Sequence, residues 1–287
     1  MSGPRGAHTV AAMPISDLHH DVRGSGPPVL FISGASGDAG HFARTAARLA
    51  DEFTTVAYDR RGCARSAPLQ NGEVMSIVAQ ADDAAQLIEQ LGIAPAIVFG
   101  SSGGGDIALE LVARRPELVR GAVLHEPALL ALAGETEAGD ADLGPIVELA
   151  AVDPRRAMEA FVRISTSDAT FEALDPRLRE RMLGNGSHFF AQELMAFGGY
   201  IPDAERIQAG QVPIRLLVGQ DGAPQLIRAT ARLAEQLGRP VEQFSGHHAP
   251  YLQQPEAFAE ELRPILRQLA GVDRPATERR FASPVVQ

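Results

Sequence analysis

An apolar run, Ala96-Ile97-Val98-Phe99, leads directly into Gly100-Ser101-Ser102-Gly103-Gly104-Gly105 and then into the helix-like Ile107-Ala108-Leu109-Glu110-Leu111-Val112. That order requires a buried strand, a turn with little room for side chains, and a helix. It also holds a G-x-S-x-G pattern, in which a serine stands on a strained strand-to-helix turn. With Ser102 at the apex, the residues two before and two after it are Gly100 and Gly104, and neither brings a Cβ into the crowded approach. With Ser101 at the apex, Phe99 would fall there. Ser102 is therefore the candidate nucleophile. No Lys follows the glycines and the spacing is not G-x-G-x-x-G, so a phosphate cradle is disfavoured.

The same strand-then-helix order repeats along the chain. Val29-Leu30-Phe31-Ile32, Phe53 to Tyr58, Ala96 to Phe99, Gly121 to Leu124, Ile214 to Val218 and Val241 to Phe244 read as strands. Helical stretches stand between them, at His41–Leu49, on the Ile77 to Leu91 stripe, and at Pro224–Leu237 and Pro255–Leu269. Near-continuous apolar strands are those of a parallel sheet buried on both faces. The expected class is α/β, a mainly parallel doubly wound sheet. His8–Ala12 and Ser16–Val22 are expected as short leading strands.

Past His125-Glu126-Pro127 the alternation stops, and residues 128–210 offer helical segments but no strand. The expected organisation is a core of residues 8–127 and 211–270, a helical insertion of residues 128–210, and a polar tail of residues 271–287.

Several function classes are excluded by composition. The formal net charge is −10 over 287 residues, which gives no footprint for nucleic acid or an anionic membrane and favours a small-molecule partner. Every one of the 26 basic residues is Arg, so Schiff-base chemistry has no lysine to use. Cys63 stands alone, without a disulfide partner or a cysteine-rich metal site. No apolar run reaches membrane-spanning length and no signal-like core follows Met1, so a cytoplasmic protein is expected.

A serine hydroxyl needs a base, and the base an orienting acid. Asp221 follows the strand ending at Val218, and His247-His248 follow the strand ending at Phe244. In a parallel sheet those positions share the carboxyl edge with Ser102. His19-His20 and His247-His248 lack metal-ligand spacing, so no metal is expected.

Together these residues resemble the α/β-hydrolase superfamily, in particular its cap-bearing esterases, lactonases and haloperoxidase-like enzymes. The motifs are the elbow at Ser102, Asp59-Arg60-Arg61-Gly62 through Ser66 resembling D-x-R-G-x-G-x-S, and the chain order Ser, Asp, His. A further one is Gly246-His247-His248-Ala249-Pro250 with Gln254-Pro255-Glu256, resembling G-H-x-P and its following helix. The resemblance implies the α/β-hydrolase fold with a helical cap, catalytic Ser102, Asp221 and His248, and an oxyanion hole from the backbone N–H groups of Ala35 and Gly103. It implies no cofactor.

In that alignment His247 is a rim residue, Glu126 ranks below Asp221 as a pocket-lining acid, and Ala64 stands where a glycine is usual. Ser33-Gly34 replaces the customary His-Gly. Relatives that hydrolyse haloalkanes or epoxides carry Asp at the elbow, so the serine argues against both. The activity implied is hydrolysis of a hydrophobic, uncharged ester, lactone or thioester. Carbon–carbon bond hydrolysis, lyase, cyclase or perhydrolase chemistry on the same triad, and a slow receptor-like role, are the alternatives.

Overall fold

The computed structural model describes residues 15–272 except 70–72, 136, 138 and 139; the expected strand at residues 8–12 and most of the expected tail lie outside them. Seven strands form one sheet: β1 (His20–Arg23), β2 (Pro28–Ile32), β3 (Thr54–Tyr58), β4 (Ala96–Ser101), β5 (Val119–His125), β6 (Ile214–Gly219) and β7 (Val241–Phe244). Their order is β1-β3-β2-β4-β5-β6-β7, with β1 antiparallel to β3 and every other pair parallel. Ser16–Val22, expected as a strand, splits into a 3-10 turn at Ile15–Asp17 and the short edge strand β1.

Helices cover both faces because side chains alternate along each strand. Leu30, Ile32 and Val98 face a layer containing Leu87, Ile107, Leu111 and Leu233, from α2 (Ile77–Gln90), α3 (Gly103–Arg114) and α12 (Pro224–Leu237). On the other side Val29, Phe31, Ile97 and Phe99 pack with Leu49, Phe258 and Leu262, from α1 (Ala43–Leu49) and α14 (Pro255–Ala270).

Between β5 and β6 the chain is helical: α4 (Leu130–Ala133), α5 (Gly144–Ala150), α6 (Pro154–Ser165), α7 (Asp168–Ala173), α8 (Pro176–Gly184), α9 (Gly186–His188), a π-helical turn at Phe189–Glu193, α10 (Leu194–Gly198) and α11 (Ala204–Ala209). Proline within the first turn opens α5, α6 and α8, and Asp153 and Asp175 cap the N-termini of α6 and α8. Met158, Val162, Phe171, Leu178, Met182 and Phe189 give the insertion its own small core. The short α13 (Pro250–Gln253) follows β7.

Five non-glycine residues among those described adopt positive φ: Ser36, Ala64, Ser102, Glu126 and Gln211. At Ala64, φ 49 accounts for the glycine usual at that position in the resembling motif.

Two buried histidines lower stability in acid, partly opposed by Asp106, whose carboxyl burial pushes up. Burial lowers His41 to about 4 despite the pull of Asp38 and Asp59, and lowers His125 to about 4 despite Glu126. Each binds a proton near pH 6.5 when unfolded, so their stabilising contribution is complete above that pH and is lost as pH falls towards 4. Unfolding free energy should drop by up to about 1.4 kcal/mol per pH unit for each histidine across that window. Urea midpoints between pH 7.5 and 4.5 check this, and His125→Gln should make the fall towards acid shallower than in wild type.

Candidate active site

The turn after β4 is as crowded as the glycines require. A Cβ on Gly100 would sit 2.3 Å from the Gly104 carbonyl oxygen, and one on Gly104 would sit 2.1 Å from that of Ile32. Ser102 takes φ 54 and ψ −132 at the N-cap of α3. Gly103, the first helical residue, has an N–H without an intrahelical acceptor at the positive end of the helix dipole. Ser101 is fully buried, with its Oγ 3.4 Å from His125 Nδ1, whereas Ser102 lines the open cavity.

His248 stands half-buried after β7 and lines that same cavity. Its Nδ1 lies 2.6 Å from Glu126 Oε2, and the other Glu126 oxygen accepts the Gly219 N–H at 2.8 Å. Asp221, expected to meet His248, does not occupy that place. It is exposed at the cavity edge, its N–H donates to the Gly246 carbonyl, and its own carbonyl accepts from His247 Nδ1 at 3.0 Å. The reason is geometric. Glu126 leaves the end of β5 with φ 43, and its longer side chain passes beneath the β6 end, where Gly222 leaves room; a Cβ there would lie 1.9 Å from Glu126 Oε1. His247 is exposed on the rim.

Burial alone would raise the Glu126 carboxyl, but the hydrogen bond and charge of His248 and the Gly219 N–H hold it below its usual value, so it is ionised. Because His125 stays neutral near pH 7, no second imidazolium competes for that carboxylate.

The strand β2 ends in Ser33-Gly34-Ala35 beside the elbow. A Cβ on Gly34 would come within 2.7 Å of Ser102 Cβ and 3.2 Å of Gly103 N, so this loop and the helix start flank the serine. Ala35 and Gly103 both line the cavity.

That cavity holds about 320 Å³ and is walled mainly by Leu130, Leu143, Phe161, Phe189, Leu194 and Phe197. A second, half-open pocket of about 40 Å³ meets it at Ser102, Ala35 and His248, and is also lined by His41, Met182, Tyr251 and Leu252. Three aromatic residues of the insertion, Phe161, Phe189 and Phe197, line the cavity together with Ser102. Cys63, His188 and Glu193 lie within 4.8 Å of one another, but both Glu193 oxygens are engaged by Arg60. No helix of the described residues is long and apolar enough to cross a membrane.

A strand-edge serine at positive φ, a histidine–carboxylate pair on the neighbouring loops and a seven-stranded parallel-dominated sheet define the α/β-hydrolase class. Comparison agrees: residues 27–149 match the family model of the alpha/beta hydrolase fold. An uncharacterised hydrolase of Bacillus subtilis, YraK, is 33% identical over 261 residues, covering 89% of this chain and 94% of that protein. A zearalenone hydrolase of Cladophialophora bantiana is 28% identical, covering 84% and 89% respectively. Among solved structures, a thermophilic esterase from Thermogutta terrifontis superposes with a TM-score of 0.71 at 22% identity, covering 88% of this chain and 94% of that one. The chain belongs to the α/β-hydrolase superfamily and is related to its hydrolases.

Proposed function

We propose that this protein is a serine hydrolase that cleaves a hydrophobic, uncharged small-molecule ester, lactone or thioester through an acyl-enzyme, without a cofactor. The observation that carries the reading is the His248–Glu126 hydrogen bond on the edge that presents Ser102, inside an apolar cavity. Glu126 takes the role of orienting acid that Asp221 was expected to fill. With Nδ1–H donated to Glu126, His248 keeps Nε2 free to accept the Ser102 proton as Oγ attacks the carbonyl carbon. The oxyanion forms against the N–H groups of Ala35 and Gly103, the second at a helix start where negative charge is favoured. His248 then protonates the leaving group, and a water that it deprotonates releases the acid.

The unequal chambers support a lopsided substrate. A cavity of about 320 Å³ accepts a bulky apolar group, while about 40 Å³ has room for only a few heavy atoms or waters.

A fluorophosphonate probe should label wild-type protein at Ser102, and lack of label on folded protein would refute the reading. In paired ester series, one varied in the acyl chain and one in the alcohol, kcat/KM should rise with length on one side and fall beyond about three carbons on the other. Equal tolerance on both sides would refute the two-chamber assignment.

A further inference from the structure

Arg60 has no solvent exposure, and neither has its partner Glu193 on the π-helical turn of the insertion. The pair is bidentate: Nη1 donates to Oε1 and Nη2 to Oε2, the latter at 3.0 Å. Arg60 has further donors, and both go to one short segment. Nε donates to the Ser33 carbonyl at 3.0 Å and Nη2 to the Gly34 carbonyl at 2.8 Å. The guanidinium also lies 5.3 Å from the Phe197 ring centre, and Phe197 packs on Gly103.

The Gly34 carbonyl and the Ala35 N–H belong to one peptide plane. In a trans peptide they point in opposite directions, so a donor that fixes the carbonyl also aims the N–H. Gly34 lies against Ser102, and Ala35 lines the cavity with it. A charged donor on the carbonyl also polarises the peptide and strengthens the N–H as a donor on its far side.

Burial would raise the Glu193 carboxyl, but Arg60 and His188 hold it at about 2. The pair is thus ionised at neutral pH. A buried ion pair contributes little net stability compared with apolar residues of similar volume, so packing alone does not account for it.

We propose that Glu193 and Arg60 are positioning residues for the oxyanion hole: the insertion, through Glu193, sets Arg60, and Arg60 orients the Gly34–Ala35 peptide towards the oxygen of the bound carbonyl. This rests on the hydrolase reading above. Two further ties reach the same loop from the insertion. Asn185 donates to the Ser36 carbonyl, and Arg181 donates to Asp38 through Nε at 2.5 Å and Nη2 at 3.1 Å.

The test uses full-length protein, one ester and a fluorophosphonate probe. Glu193→Gln keeps the volume and one acceptor while removing the charge. It should lower kcat by about 10- to 100-fold with KM within about threefold, and slow fluorophosphonate labelling by a similar factor, since the phosphoryl oxygen uses the same hole. Arg60→Lys, able to hold one carbonyl but not the planar fork, should be intermediate.

The double variant Arg60→Met with Glu193→Leu supplies an apolar pair. It should match wild type in melting temperature within a few degrees and stay slow. Recovery of kcat in that double variant, or a Glu193→Gln protein as fast as wild type, would overturn the proposal while leaving the hydrolase reading intact. Failure of wild-type protein to label or turn over would instead overturn the hydrolase reading.

Discussion

Ser102→Ala and His248→Ala should each lower kcat by about 10⁴- to 10⁶-fold, while His247→Ala keeps most of the activity. The size follows from the mechanism: without Oγ no acyl-enzyme forms, and without the imidazole neither the attacking hydroxyl nor the leaving group has a proton partner. Ala at position 102 retains the Cβ that fits the φ 54 turn, so the loss should come without a change in circular dichroism. His247 contributes a rim bond to the Asp221 carbonyl and stands exposed, away from the carboxylate that orients its neighbour. Steady-state rates on one activated ester measure all three variants, and a larger loss for His247 than for His248 would reverse the roles of the two imidazoles.

The second large effect separates the two acids. Glu126→Gln should lower kcat by about 10³- to 10⁴-fold, because an amide in place of the carboxylate neither stabilises the imidazolium nor enforces the Nδ1–H tautomer. Its Oε1 still accepts the Gly219 N–H, so the fold should hold. Asp221→Asn should leave kcat within about threefold. Equal losses in both would point to a shared acid, and a loss confined to Asp221 would return the role to the β6 end.

Why one part of this site is legible in sequence and another is not comes down to range. The central strands of a sheet buried on both faces must be nearly continuous apolar runs, and so β2 and β4 are readable from composition within short windows, whereas the edge strand β7, with Glu242 and Gln243, is readable only by its place in the alternation. The elbow is readable for a similar reason, since its steric demands involve Gly100 and Gly104 within five residues. The longer helices of the insertion announce themselves by proline and aspartate at their starts, whereas α4 and α9, of four and three residues, are too short for any period to register.

The acid is a different matter. Asp221 and Glu126 end adjacent parallel strands, and either end is within reach of the loop that carries His248. The choice is made by a positive φ at Glu126 and by the missing side chain at Gly222, residues nearly a hundred positions apart whose proximity has no local signature. Arg60 and Glu193, 133 positions apart, were hidden for the same reason. Arg60 stands at a variable position of its motif, and a glutamate on a helix ordinarily faces water.

Four of the five strained backbone positions lie on the candidate site or on the loops that connect it to the insertion: Ser36 on the loop after β2, Ala64 on the loop tied to Asn185, Ser102 itself and Glu126. Each costs about 1–2 kcal/mol relative to relaxed backbone, and together they amount to a sizeable share of the roughly 5–15 kcal/mol that holds a domain folded. For protein engineering this divides the molecule. Relaxing the turns beside Ser102 would trade activity for heat resistance, whereas Gln211, at φ 53 on the far approach to β6, carries the same kind of strain with no partner in the chemistry, so a glycine there is the stabilising change that leaves the catalytic edge as it is.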